Sequence, residues 1–488
     1  MGSNLLALDT KVQRPMSRAL DPIRESAGER ATRLPIRTEA LANFKLALPI
    51  IATQLGTMLM GLVDTAIVGR AGERELAGVA IGNVLSFAVT IPAVGLLIAI
   101  EPLASQAIGA GDAPRARATL REGVRLSLLL TLPFMALSYA SVLLLAPLKV
   151  DPAVIPLARA YVVARLLSVL PYFLYMTGKT YQQAVMRPRA SVEAVVIANV
   201  VNAIASYVAV FGDKGLLRIG LPAIGLPAFG GAGAGAATTI SMALMAFWLL
   251  VVRGKIPAGA ADAARAGEVA GGTSELRRKM LRLGVPIGLQ LGAEVGIFSL
   301  VTVLMGRLGG RAAASHQIAL GLASFSFMGA LGIAQSTSVR VGLSVGAATG
   351  GARRAGMIGI GMGICAMATW SLVFALAPTM LARLFSPESP VIDAAVPLIR
   401  IAALFQLFDG AQVVAAGALR GAGDTRWPLI ANVVVHWLIA LPLALLFGFR
   451  WGMGARGLWF GLTAGLVCVG TVLVGRFWVL SGRAIVRV

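Results

Sequence analysis

Acidic residues are scarce in this chain of 488 residues, with 22 Asp and Glu against 43 Lys and Arg, and charged residues of both signs make up only 13% of it. A soluble domain carries roughly a quarter charged residues, so an ordinary water-facing surface cannot be built here. Cysteine is nearly absent. Cys365 and Cys468 both fall inside apolar runs and supply neither a disulfide framework nor a cysteine zinc site. The two histidines, His316 and His436, give little basis for a histidine-based metal or hydrolytic centre.

What is abundant is apolar: 57% of residues are hydrophobic and the mean hydropathy is +0.81. Leu126 to Leu148 and Met357 to Leu381 contain no Asp, Glu, Lys or Arg. Each exceeds the ~20 residues that a helix needs to cross ~30 Å of hydrocarbon. Barrel strands need only ~10 residues of alternating polarity, and these runs are apolar on every face. The 57 glycines suit helix bundles in lipid, where small residues let backbones approach closely. The expected fold is an all-α polytopic membrane protein.

In a soluble chain, a net charge of +21 would raise the question of nucleic acid. Here the basic residues stand between apolar runs, so topology explains them, and the lipid bilayer, not nucleic acid, is the expected partner. The first ~40 residues lack an apolar core with a cleavage site, so they do not read as a signal peptide. Leu6 stands where a myristoylation motif has Ser or Thr. Residues 1–44 are read as a disordered cytoplasmic extension.

Runs set against breakers predict twelve spans, near 46–67, 76–107, 124–147, 156–178, 191–211 and 232–252, then 281–305, 313–338, 356–381, 392–417, 428–448 and 456–480. Most Lys and Arg fall on the tail, the even-numbered loops and the C-terminus, which the positive-inside rule assigns to the cytoplasm. Both ends are therefore expected inside a bacterial inner membrane. The basic loop 253–280 divides lobes 45–252 and 281–480, and 481–488 is a cytoplasmic tail. The halves resemble each other. Leu48-Pro49 returns as Val285-Pro286, Gly69-Arg70 as Gly306-Arg307 and Gly109 as Gly346, all at one offset; Ile-Ala-Asn-Val-Val at Ile197 to Val201 recurs at Ile430 to Val434. Two parallel six-helix repeats, related by a pseudo-two-fold axis along the membrane normal, form a secondary-transporter architecture with its site between the halves. No GxxxxGK[ST] loop occurs, so ATP-driven transport within the chain is not expected.

A carboxylate inside the bilayer is costly and usually marks an ion path or a ligand counter-ion. Asp64, Glu294 and Asp409 stand inside apolar runs. The bland account makes each of them neutral or paired for structure. The functional account makes them exchange a proton or Na+ for a cationic substrate. Asn202 and Ser206, four apart on one helix face, join Thr238 as polar residues that matter if they face Asp64. Glu101 and Arg400 are expected to snorkel to the interface. His316, followed by Gln317, is either a pH-sensing residue or a packing hydrogen-bond partner.

From about residue 45 to 480 the chain resembles the multidrug and toxic compound extrusion (MATE) family. The likeness rests on Gly-Leu-Val-Asp64-Thr-Ala-Ile-Val-Gly-Arg, on Ser-Gln-Ala-Ile-Gly-Ala-Gly-Asp112, and on Ala-Ala-Gly-Ala-Leu-Arg-Gly421 followed by Gly-Asp-Thr-Arg426. The resemblance implies a central cleft between two lobes and antiport driven by Na+ or H+. It places Asp64 at the N-lobe essential aspartate, with Asn202, Ser206 and Thr238 as its partners; Ser206 stands where Asn or Asp is more typical. Glu294 and Asp409 match the C-lobe acidic pair of the NorM-like bacterial branch. The coupling cation, Na+ or H+, is expected at Asp64, at Glu294 with Asp409, or at both. Gln317 and His316 are secondary candidates. The implied substrates are small organic cations, with no cofactor, no enzymatic activity and no obligate protein partner inferred. A lipid-linked precursor flippase of the same superfamily is the alternative; it calls for a cationic cavity, against which the acids argue.

Overall fold

The computed structural model describes residues 35–148, 150–218, 220, 222–254 and 273–488. Within them the regular structure is helical throughout, with no strand. This follows from the solvent: lipid offers no hydrogen bonds, so each spanning segment must satisfy its own backbone. The N-terminal half comprises α1 (Ile36–Gly69), α2 (Glu73–Gly109), α3 (Ala113–Leu144), α4 (Ile155–Leu166 continued by Val169–Ala184), α5 (Arg189–Phe211) and α6 (Gly230–Val252). The C-terminal half comprises α7 (Thr273–Arg307), α8 (Gly310–Gly346), α9 (Ala352–Leu376), α10 (Ser389–Gly421), α11 (Arg426–Arg450) and α12 (Gly454–Ser481). Eleven of these are long and apolar enough to span by themselves, and bent α4 completes twelve. Their outer faces are apolar: Leu132, Leu143, Leu376 and Leu438 are all largely exposed.

Helices outrun the apolar runs that announce them. α1 begins at Ile36 and α7 at Thr273, each ahead of its predicted span, because a helix continues past the hydrocarbon wherever propensity and tertiary contacts sustain it. Residues 1–34 of the N-terminal extension and 255–272 of the predicted inter-lobe loop lie outside the described residues. The fourth span, predicted as one helix, is bent by 53°. Pro171 sits in the first turn beyond the bend, where it lacks an N–H and crowds the Leu167 carbonyl four residues back; at the bend the Arg165 carbonyl takes both the Ser168 N–H at 2.9 Å and its hydroxyl at 2.6 Å. α2 breaks at Ala99 for the same reason, with Pro102 just beyond.

The repeat read in the sequence is a packing symmetry. A Cβ on Gly109 would overlap the Leu343 carbonyl oxygen, and one on Gly346 would overlap the Gln106 carbonyl oxygen. The offset that carries Gly109 to Gly346 also carries Gln106 to Leu343, so these are one contact made twice. Likewise Gly95 meets the backbone of Gly288, and Gly332 meets that of Ile51. The connections match as well: Gly72 and Gly309, each preceding the second helix of its half, have φ of +139° and +105°, values that glycine tolerates and other residues rarely adopt. α1 and α2 therefore pack on α8 and α7 across a seam between two six-helix lobes.

Candidate functional site

Asp64 lies toward the C-terminal end of α1, half-buried. Asn202 and Ser206 occupy the buried face of α5 that their four-residue spacing dictates, and both donate to Asp64 Oδ1, from Nδ2 at 2.7 Å and Oγ at 2.6 Å. Thr238 of α6 donates to Oδ2 at 3.1 Å. Ser241, one turn along α6, donates to Asn202 Oδ1 at 3.1 Å and fixes that amide's orientation. Three neutral donors converge on one carboxylate, leaving its negative charge held by hydrogen bonds. Such an oxygen-rich pocket suits a proton or a hard cation.

In the other lobe, Glu294 of α7 stands near enough to Asp409 of α10 for its charge to act on that carboxyl. Gln412 of α10 and Asn432 of α11 lie beside Glu294. Gln290 Oε1 and Gln412 Oε1 are buried with no hydrogen-bond partner. Buried polar atoms are normally satisfied, so unspent capacity beside two carboxylates marks a place built for a visiting group. Sequence reasoning did not single out Gln290, Gln412 or Asn432. The signal for Asn432 was present: it is the Asn of the repeated Ile-Ala-Asn-Val-Val, and its counterpart Asn199 binds the Gly56 carbonyl of α1 at 3.0 Å.

Asp64 and the Glu294–Asp409 pair stand in separate lobes. On the seam lies a third charged group. Glu101, at the α2 break, is 2% exposed, and Lys179 of α4 and Arg420 of α10 are 5% exposed each. Glu101 was expected to snorkel; it does not, because the α2 break sets it inside the seam against these two cations. Lys179 also donates to Gln54 of α1. Arg400, by contrast, is exposed on α10, as snorkelling requires.

His316 takes the packing alternative. Trp459 Nε1, which can only donate, gives its hydrogen to His316 Nδ1 at 3.2 Å. His316 Nε2 lies 3.0 Å from Thr302 Oγ1, whose own hydroxyl donates to the Phe298 carbonyl. A neutral imidazole with its proton on Nε2 completes this chain. Gln317, next to it, is exposed and joins neither acidic site. His436 holds the Asn432 carbonyl through Nδ1 at 3.1 Å.

One end of the seam is tied shut. Arg340 of α8 binds Glu39 of α1, and Asn43 of α1 bonds Ser336 and Thr337 of α8 at 2.6 and 3.2 Å. Gln106 of α2 donates to the Gly421 carbonyl of α10 at 3.0 Å, and Arg277 of α7 pairs with Glu122 of α3. All of these lie at the end where α1 and α7 begin and α2 and α8 finish. Among the described residues, no three His, Cys, Asp or Glu gather in a metal-binding cluster.

Comparison with protein-family models matches the MatE model over residues 49–208 and 286–446, one block in each lobe. Among curated proteins, "Probable multidrug resistance protein NorM" of Deinococcus radiodurans is 38% identical over 446 residues, 90% of this chain and 95% of that relative. Its namesake in Mesorhizobium japonicum is 34% identical over 465 residues, 94% of this chain and 97% of the relative. Among solved structures, the eukaryotic MATE transporter AtDTX14 superposes with a TM-score of 0.80 at 21% identity, covering 92% of this chain and 98% of that one. A point mutant of the Vibrio cholerae MATE transporter VcmN gives 0.79 at 19% identity, covering 92% and 99%.

Proposed function

This chain belongs to the MatE family, and from that premise we propose that it is a multidrug exporter, expelling small organic cations from a bacterial cell by antiport with Na+ or H+. The observation that carries the reading is the set of intramembrane carboxylates: Asp64 under three converging donors, and Glu294 beside Asp409 with the unpartnered amide oxygens of Gln290 and Gln412. Charge buried at such cost is retained for a ligand of opposite sign. The names of the NorM relatives, multidrug resistance proteins, support small organic substrates, and the buried acids support a positive charge on them.

In this reading both termini are cytoplasmic, so the tied end of the seam is the cytoplasmic one and the structure faces outward. A coupling cation entering from outside neutralises the carboxylates and removes the counter-charge that held an organic cation, which leaves. Parting of the cytoplasmic seam and closure of the outer side then expose the carboxylates to the cell interior. The coupling cation dissociates there, and the restored negative charge attracts the next substrate. One set of acids thus serves two cations in turn, and their competition is the coupling.

The test is efflux of a fluorescent organic cation from proteoliposomes under a Na+ gradient or a pH gradient imposed separately. Wild type is compared with Asp64→Asn, Glu294→Gln and Asp409→Asn at matched incorporation. Gradient-driven efflux lost in the variants supports the reading and names the ion. Variants that are folded and equally active overturn it.

A further inference from the structure

Past α12 the chain leaves the C-terminal lobe and crosses the tied end of the seam. Residues 482–488 form no helix, and their side chains divide between the lobes. Ile485 packs on the core built mainly from α8, α9, α10 and α12, whereas Val488 packs on the one built mainly from α2, α3 and α4. Three polar contacts hold the far end to the N-terminal lobe. The Val488 N–H donates to Gln106 Oε1 of α2 at 2.9 Å, Arg115 Nη2 of α3 donates to the Val488 carbonyl at 3.4 Å, and Arg487 pairs with Asp112 at 3.4 Å. Asp112 is itself fixed, because its other oxygen caps α3 through the Arg115 N–H at 3.0 Å. The Gln106 amide joins the lobes twice over, with Nε2 on the Gly421 carbonyl of α10 and Oε1 on Val488. A Cβ on Gly423, in the turn between α10 and α11, would overlap the Val488 side chain, so Val488 is wedged between the two lobes.

We propose that residues 482–488 are an inter-lobe strap, which helps to hold the tied end of the seam and must let go each time that end parts. The inference goes beyond the antiport reading above and rests only on its alternating access, not on the coupling ion or the substrate. The geometry makes the strap releasable. The side chains of Arg487 and Asp112 are 29% and 38% exposed, and an exposed ion pair is a weak contact that salt screens. The Glu39–Arg340 pair at the same end is, by contrast, nearly inaccessible. Releasing the strap therefore strands no buried charge, and its main cost is the apolar burial of Val488. The covalent tie to α12 keeps the freed segment close to its seat, so it docks again at high effective concentration. The strap thus favours the closed end while leaving its opening reversible.

The experiment uses the chain in nanodiscs without a gradient, carrying Cys365→Ala, Cys468→Ala and Ala47→Cys. Ala47 of α1 is 1% exposed in the core that joins α1 to Ala330 and Ala334 of α8, so a maleimide reaches it only when the lobes part. Deleting residues 483–488 should speed labelling by about fivefold or more, the lower end of the range usual for coupled sites. Arg487→Ala should speed it by about two- to fivefold, the worth of an exposed ion pair, and Arg487→Lys, which keeps the charge, should stay nearer the parent. A second measurement serves if the truncated chain does not fold. With Ala47 retained and both native cysteines replaced, Ala113→Cys and Arg487→Cys are joined by a bismaleimide that contains a reducible disulfide; Ala113→Cys leaves the Asp112 cap in place. Efflux from proteoliposomes should stop on cross-linking and return on reduction. Labelling unchanged by both the truncation and Arg487→Ala, or efflux that continues through the cross-link, overturns the strap and leaves antiport standing. If the protein without the cross-link shows no gradient-driven efflux, the antiport reading falls, and faster labelling on truncation still supports the strap.

Discussion

Arg340 clasps Glu39 with two hydrogen bonds, Nε to Oε1 at 2.9 Å and Nη2 to Oε2 at 2.5 Å, and so joins the end of α8 in one lobe to the first turn of α1 in the other. Both side chains are nearly inaccessible. Removing one member of a buried pair leaves an uncompensated charge, at a typical cost of about 3–5 kcal/mol. Glu39→Gln should therefore destabilise the seam-closed state far more than either lobe. The expected outcome is faster maleimide labelling at Ala47→Cys, with little change in the helical circular dichroism signal.

Ser206 and Asn202 share one oxygen of Asp64, yet they are not equivalent. Ser206 donates and is done, while Asn202 is itself gripped by Ser241. A hydrogen bond to a charged group is worth about 1.5–3 kcal/mol. Ser206→Ala should cut gradient-driven efflux by about tenfold, and Asn202→Ala by more, because it removes the donor that Ser241 holds in place against Asp64. Initial rates in proteoliposomes at matched incorporation measure both. Equal efflux in all three proteins would dissociate the Asp64 pocket from transport.

Gly109 and Gly346 occupy the two related close approaches across the seam. A valine at either should force the helices apart, with the cost of about 1–3 kcal/mol that overpacking brings. Gly61 and Gly475 have nothing within 4 Å of an added Cβ and serve as controls. Thermal unfolding followed by size-exclusion chromatography should show lower midpoints for Gly109→Val and Gly346→Val, and near-parental ones for Gly61→Ala and Gly475→Ala.

Outside the spans, Asp213 accepts hydrogen bonds from the backbone N–H groups of Ile224, Gly225 and Leu226, each at 3.0 Å. These bonds favour the ionised form and hold its carboxyl below the usual carboxylate range. A depressed folded-state pKa means the stabilisation is complete above the unfolded value of about 3.9 and is lost as pH falls through the folded one. Asp213→Asn should speed amide exchange at 224–226 at neutral pH, after correction for intrinsic rates. The wild-type protein should approach the variant only in strong acid.

The acidic constellation was half legible in the chain. Asp64, Glu294 and Asp409 declare themselves because a carboxylate in an apolar run is conspicuous wherever the run folds. Asn202 and Ser206 could be paired by helical spacing, but that their shared face meets Asp64 is a fact about how α5 packs on α1. Glu101 was misread for the same reason: its depth depends on a break in α2 and on cations from α4 and α10, distant in sequence. His316 offered two roles until Trp459 and Thr302 came within reach of its two nitrogens.

What the sequence determined by itself is whatever depends on local chemistry. Twelve apolar stretches long enough for lipid must be helices, since an unpaired backbone is intolerable there, and the repeated markers announced two related halves. The tertiary structure alone decided which of those helices touch, which end of the seam is tied, and how the buried charges are matched. Those outcomes turn on close approaches such as Gly346 to Gln106 and Gly421 to Ser338, where the fit of one backbone against another, rather than composition, selects the neighbour.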